Sequence, residues 1–275
     1  MYDFSVFLAG IRPQNWLALY TSIKDSTQKT FELIFVGPYN LPDTLKGIPN
    51  VKFIQDYGCP TRCYQLGLLA SASPYVVFVA DDGVLLNNGA IDNAFKILES
   101  TPLPHKNIVS FRYYEGKITK KSKSAGMCAN IDYWRFGGHG FFKELPLIPG
   151  DFLFSMTSLI SREYMLEMGG WDCTFDHLGL GAHDLAIRMQ RDGANITLGD
   201  YFIHVTWAPG HEGDHGPIHD SHYEHEEPLF KQIYSDPNCG SRIKIDVNNW
   251  NNVPSVWIRR FGTELKGIDH PEFLR

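Results

Sequence analysis

Apolar residues fall in short runs separated by polar stretches marked with glycine and proline. Phe4–Leu8 (FSVFL), Phe31–Val36 (FELIFV), Val51–Ile54 (VKFI) and Tyr75–Ala80 (YVVFVA) are short and nearly unbroken. Runs of this kind suit strands buried on both faces of a parallel sheet. Between them, Gln14–Ile23, Tyr64–Ala72 and Ile91–Glu99 carry apolar residues at helical spacing, and Pro13 stands where the first helix can begin. Strands alternating with helices predict a parallel sheet with right-handed crossovers. Ligands of such sheets bind beyond the carboxyl ends of the strands. Ala9-Gly10, Gly37-Pro38 and Asp81-Asp82 are therefore expected on one rim.

The pattern is lost over 101–149, where prolines, glycines and the basic run Lys117–Lys123 alternate with short strand-like pieces. A basic run of this length is more often a solvated face than a binding patch. Regularity returns with a strand over Phe152–Ile160 and a helix over Ser161–Met168, with Ser161 as its N-cap. Gly169-Gly170 ends that helix. A second helix is expected over Gly181–Asp192, closed by Gly193. Two strand-like pieces follow within Ala194–Thr206, then a histidine-rich loop and a polar, Asn-rich tail from Asp236.

Composition narrows the functional classes. The chain has 275 residues with 43% hydrophobic and 20% charged side chains, which is ordinary for a globular protein. No stretch reaches the roughly 18 apolar residues of a membrane span, and the first ten residues lack the basic region of a signal peptide. The expected location is the cytoplasm. A net charge of −6 argues against a nucleic-acid backbone as partner, although a nucleobase as acceptor stays open. The five cysteines form no CxxC pair, so free thiols are expected rather than a structural zinc site.

Three segments carry candidate chemistry. Phe78–Gly83 (FVADDG) places two carboxylates at the end of a buried strand, an arrangement that suits a hard divalent cation held against phosphate, or equally an ordinary Asp-Gly turn. Gly169–Asp172 reads GGWD. Gly181–Gly193 reads GAHDLAIRMQRDG, and puts Asp184 in the first turn of a helix, where it serves as a capping charge or as a general base.

In that order and spacing, ADD at Ala80–Asp82, GGWD at Gly169–Asp172 and HDLAIR at His183–Arg188 resemble family 2-type glycosyltransferases with the GT-A fold. The resemblance covers roughly Phe4–Trp207. It implies an α/β fold, with a Rossmann-like nucleotide-binding sheet and a mixed acceptor-side half. One domain over 1–235 would comprise a nucleotide-sugar half, 1–100, and an acceptor half, 101–235. A C-terminal extension, 236–275, would pack on it.

The resemblance also implies a metal-dependent, inverting transfer from a nucleoside-diphosphate sugar, a UDP-sugar being the first choice, to a hydroxyl on a glycan or other acceptor. Asp82 would hold Mn²⁺ or Mg²⁺ against the diphosphate, and Asp184 would take the acceptor proton. Ala9, Gly10, Arg12, Asp56, Arg62, Ala80 and Asp81 would line the nucleotide site. Trp171 and His183 would face the acceptor. Ala80 stands where the family has its first acidic residue, and His183 where it has a glutamate.

Six histidines fall between His204 and His225. His211–His215 (HEGDH) matches the zinc-protease pattern in letters. That pattern needs a helix, and glycines at 210, 213 and 216 oppose one. From the resemblance, His204 and His211 are the candidates for a further metal ligand. His211 is preferred because it lies in a loop able to close over substrate. Two other classes compete: a non-catalytic nucleotide-sugar- or glycan-binding relative, and a nucleotidyltransferase. The latter is weakened by a first loop, LAGIRPQNW, with one glycine and one arginine.

Overall fold

A computed structural model describes residues 1–86, 88–115, 157–176, 178–204, 222–235 and 242–252. The basic run 117–123, the histidines 211–221 and the end of the chain lie outside the described residues.

The described strands are β1 (Phe4–Ala9), β2 (Phe31–Gly37), β3 (Val51–Gln55), β4 (Tyr75–Phe78), β5 (Gly83–Leu85), β6 (Asn107–Glu115), β7 (Ser158–Ser161) and β8 (Asn195–His204). They form one sheet in the order β3-β2-β1-β4-β7-β6-β8-β5. The first four pair in parallel, as the alternating pattern predicts. β7 runs antiparallel to β4 and β6, β8 parallel to β6, and β5 antiparallel to β8. The mixed half therefore continues the parallel half of the same sheet.

The helices are α1 (Trp16–Asp25), α2 (Pro60–Ala70), α3 (Ala90–Glu99), α4 (Arg162–Glu167), α5 (Leu178–Arg191) and α6 (Glu227–Ser235). Alternate residues of the strands face two cores. Phe7, Ile34, Val36 and Phe78 pack with Leu66, Trp171, Leu185 and Phe230. Val6, Leu33, Phe35 and Val77 pack with Trp16, Leu19, Ile91 and Phe95. The result is a three-layer sandwich, in which burial of both sheet faces explains the unbroken apolar strands.

Several boundaries differ from expectation, each for a local reason. α2 begins at Pro60 instead of Tyr64, because proline at the first helical position loses no needed donor. α5 begins at Leu178 instead of Gly181, so Gly179 lies inside the helix rather than before it. β8 is continuous through Gly199, where a Cβ would meet Val109 Cγ1 at 3.0 Å. Glycine there permits close strand contact instead of breaking the strand. Ser161 caps α4 as predicted, accepting from Tyr164 N at 3.4 Å. Cys59, Cys63 and Cys173 are buried free thiols, and burial pushes each thiol's pKa upward.

Candidate functional site

The carboxyl ends of the parallel strands meet as the topology requires. Gly10 N donates to Val36 O at 2.8 Å, and Asp56 N to Gly37 O at 3.0 Å. Gly37 is obligatory here, because a Cβ would collide with the Gly10 carbonyl. Beyond β4, Val79 N reaches Phe7 O and Tyr64 Oη donates to Val79 O at 2.6 Å. Gly83 N then closes a turn onto Ala80 O, with Asp81 and Asp82 at its centre.

Asp81 binds the loop after β1. Its Oδ2 accepts from Ile11 N at 2.7 Å and Arg12 N at 2.6 Å, and its Oδ1 from Arg12 Nη1 at 2.5 Å. The same Nη1 lies 3.6 Å from Asp82 Oδ2. All three side chains are buried. Burial pushes the Asp81 carboxyl above the ordinary value; Arg12 draws it down, Asp82 pushes it up, and the Ile11 and Arg12 amides draw it down. The net direction is upward. Asp81 and Arg12 were both expected to touch nucleotide directly. In this geometry Asp81 shapes the loop that presents Arg12, and Ala80 is buried in the core.

Asp56 is likewise turned inward. Arg62 Nε and Nη2 donate to its carboxylate at 3.0 and 2.8 Å, and Gly58 N at 2.7 Å. Arg62 Nη1 donates to Trp250 O at 2.7 Å, while the guanidinium lies 5.1 Å from the Trp250 ring. The pair therefore joins the rim to the chain segment 242–252. That segment also holds the GGWD turn: Cys173 N donates to Asn249 Oδ1 at 2.7 Å, and Asn249 Nδ2 to Trp171 O at 3.0 Å.

The acceptor-half residues are placed differently from expectation. Asp184 lies in the second turn of α5, not the first, and is wholly buried. Arg188 Nε donates to its Oδ2 at 2.8 Å and Tyr234 Oη to its Oδ1 at 2.8 Å, with Arg242 Nη1 at 3.1 Å. Arg242 also pairs with Asp172. Burial lowers the Arg242 guanidinium to about 10, so it is still a cation at neutral pH. Arg188 in turn donates to Met168 O at 2.7 Å and Gly170 O at 2.6 Å. Asp184, expected as a general base, is thus the hub of an ion-pair network beneath the GGWD turn, with both of its carboxylate oxygens engaged. Trp171, expected to face the acceptor, is 0% exposed, with Phe78 and Tyr64 rings at 5.0 and 5.3 Å. His183 is buried too, its Nδ1 2.7 Å from Gly179 O.

The residues missed by sequence reasoning are Arg242, Tyr234 and Gln65, which accepts from Trp171 N at 2.8 Å. Nothing local marks them, since each acts across 50 or more residues of chain.

For a metal, backbone register is informative. Gly83, next to Asp82, pairs with His204, and His204 pairs on its other side with Glu115. His211 lies outside the described residues. Among the described residues no group of three His, Cys, Asp or Glu side chains is placed to hold an ion. Mg²⁺ and Mn²⁺ beside nucleotides take most of their oxygens from water and phosphate, so a pair of adjacent carboxylates can be the protein's whole share of such a ligand set.

No protein-family model matches the sequence, and no curated protein matches it either. Among the described residues no helix is long and apolar enough to cross a membrane. In three dimensions the chain is similar to a crystal structure of S. aureus TarS, residues 1–349, with a TM-score of 0.51 at 12% identity over 88% of this chain and 83% of that one. That likeness is one of fold, a mixed α/β sheet of the GT-A type.

Proposed function

We propose that the protein transfers a sugar from a nucleoside-diphosphate sugar to an acceptor hydroxyl, with the diphosphate held at the rim formed by Gly10, Arg12, Asp81 and Asp82. The observation that carries this reading is the buried Asp81–Asp82 pair at the end of β4, faced by Arg12 on a loop that Asp81 itself pins. An acid pair with one cationic partner at a sheet rim suits a phosphate-bound divalent cation. Asp82 would hold Mn²⁺ or Mg²⁺, which when bound offsets charge on the departing nucleoside diphosphate. Arg12 would meet the phosphates, and its planar guanidinium suits them. Asp184 serves this site as an internal anchor.

A second reading is a nucleotide-sugar-binding protein without turnover. It is favoured by the burial and double pairing of Asp184, which leave that carboxylate engaged. Thermal-shift titration with UDP- and GDP-sugars, with and without Mn²⁺, tests both, since a bound ligand raises the melting temperature by mass action. Stabilisation together with sugar release or transfer supports the enzyme. Stabilisation without turnover supports the binder, and no response to any nucleotide sugar refutes both.

A further inference from the structure

The Arg12 guanidinium lies against the Asp81–Asp82 turn. Nη1 is 2.5 Å from Asp81 Oδ1 and 3.6 Å from Asp82 Oδ2, so one nitrogen faces both carboxylates. The backbone beneath it is fixed twice. Asp81 Oδ2 accepts from both loop amides. The Trp16 ring lies so close to Gly10 that a Cβ there would come within 2.5 Å of it. The loop backbone is thus held from two sides, while the long Arg12 side chain above it has rotatable bonds.

We propose that Arg12 is a resident cation that keeps a divalent metal off the Asp81–Asp82 pair until a nucleoside diphosphate draws the guanidinium to its phosphates. The inference rests on the nucleotide-sugar reading above. Its physical basis is charge. Two adjacent carboxylates repel each other, and Arg12 offsets that repulsion without any ion bound. A divalent cation entering beside it meets a like charge at contact distance in a buried site, where screening is weak. A diphosphate reverses the balance. It offers the guanidinium a bidentate partner and supplies oxygens beyond those of the Asp81–Asp82 pair. Metal and nucleotide then bind with positive coupling, and the coupling is reciprocal.

Mn²⁺ binding to the full chain, followed by the electron paramagnetic resonance signal of free Mn²⁺, tests this without any turnover. Wild type, Arg12→Met, Arg12→Gln and the charge-keeping Arg12→Lys are compared with and without UDP, and melting curves check that each is folded. Wild type and Arg12→Lys are expected to bind Mn²⁺ weakly alone and about tenfold or more tightly with UDP. Arg12→Met and Arg12→Gln are expected to bind Mn²⁺ alone about tenfold more tightly than wild type. Equal affinity of all four for Mn²⁺ alone overturns the role of Arg12 while leaving the metal reading intact, provided UDP still promotes binding. Absence of Mn²⁺ binding in every variant, UDP included, overturns the metal reading and this inference with it.

Discussion

Arg188 donates its Nε to Asp184 at 2.8 Å, one helical turn away on α5, and neither side chain is exposed to solvent. Removing one member strands the other as a buried charge, which typically costs about 3–5 kcal/mol. Arg188→Ala also releases the carbonyls of Met168 and Gly170. Both Asp184→Ala and Arg188→Ala are therefore expected to lower stability by that amount in urea denaturation. A proton acceptor would behave otherwise: Asp184→Asn would keep the melting point and lose only turnover. An unchanged melting midpoint in Asp184→Asn and Asp184→Ala would contradict the anchor role.

The glycines of the GGWD turn and of the α5 terminus share a left-handed backbone but differ in their surroundings. Gly169 has φ +84° and its added Cβ would run into the Ile245 carbonyl, whereas Gly193 has φ +87° and open space around it. Gly193→Ala is expected to cost only the conformational penalty, about 1–2 kcal/mol. Gly169→Ala adds a backbone clash and should push 242–252 off the turn. Hydrogen exchange of those amides distinguishes the two. Protection of 242–252 should fall in Gly169→Ala and hold in Gly193→Ala.

The rim was legible in the sequence because it follows from strand periodicity and from where the strands stop. Gly37, Asp56 and Asp81 are placed by local pattern and parallel topology alone. The acceptor half was not, for a physical reason. An Asp and an Arg four apart can be read from the letters, but which way their helix faces depends on Tyr234 and Arg242, about 50 residues downstream. Trp171 reads as an exposed platform only until α2 and β4 close over it. The early start of α5 was hidden by Gly179 and Gly181, which put the expected first turn at Gly181 instead of Leu178. The helix tolerates Gly181 because its Cα packs on Thr61, where a Cβ would meet Cγ2 at 2.9 Å.

Burial of Trp171 makes a second distinction testable. Its indole fills the core between Phe78 and Tyr64, so Trp171→Ala opens a cavity and should cost about 3–5 kcal/mol. Trp171→Phe keeps most of the volume. If the ring is purely internal, Trp171→Phe lowers the melting point modestly and leaves the relative rates on different acceptors unchanged. A sugar platform would instead give an altered acceptor ranking with the melting point held.

Glu32 supplies a pH-dependent part of the stability. It is a buried residue of β2, where Ser5 Oγ on the neighbouring β1 donates at 2.5 Å, Ala72 N at 2.9 Å, and Lys52 Nζ lies 2.6 Å away. Burial alone would raise its pKa, but the bonds from Lys52, Ser5 and Ala72 outweigh burial and hold the carboxyl below the ordinary 4.5. The folded state therefore releases this proton more readily than the unfolded chain. The associated stability is fully present above the unfolded value of 4.5 and is lost as pH falls through the lower folded value. Lys52 is 49% exposed, so solvent screens its share. Glu32→Gln keeps the shape and removes the charge, and should cost about 1–2 kcal/mol at pH 7. Denaturation curves of the two proteins should converge as pH is lowered below 4.5. A gap that stays constant down to pH values well under that point would show that hydrogen-bond geometry, and not the Glu32 charge, carries the stabilisation.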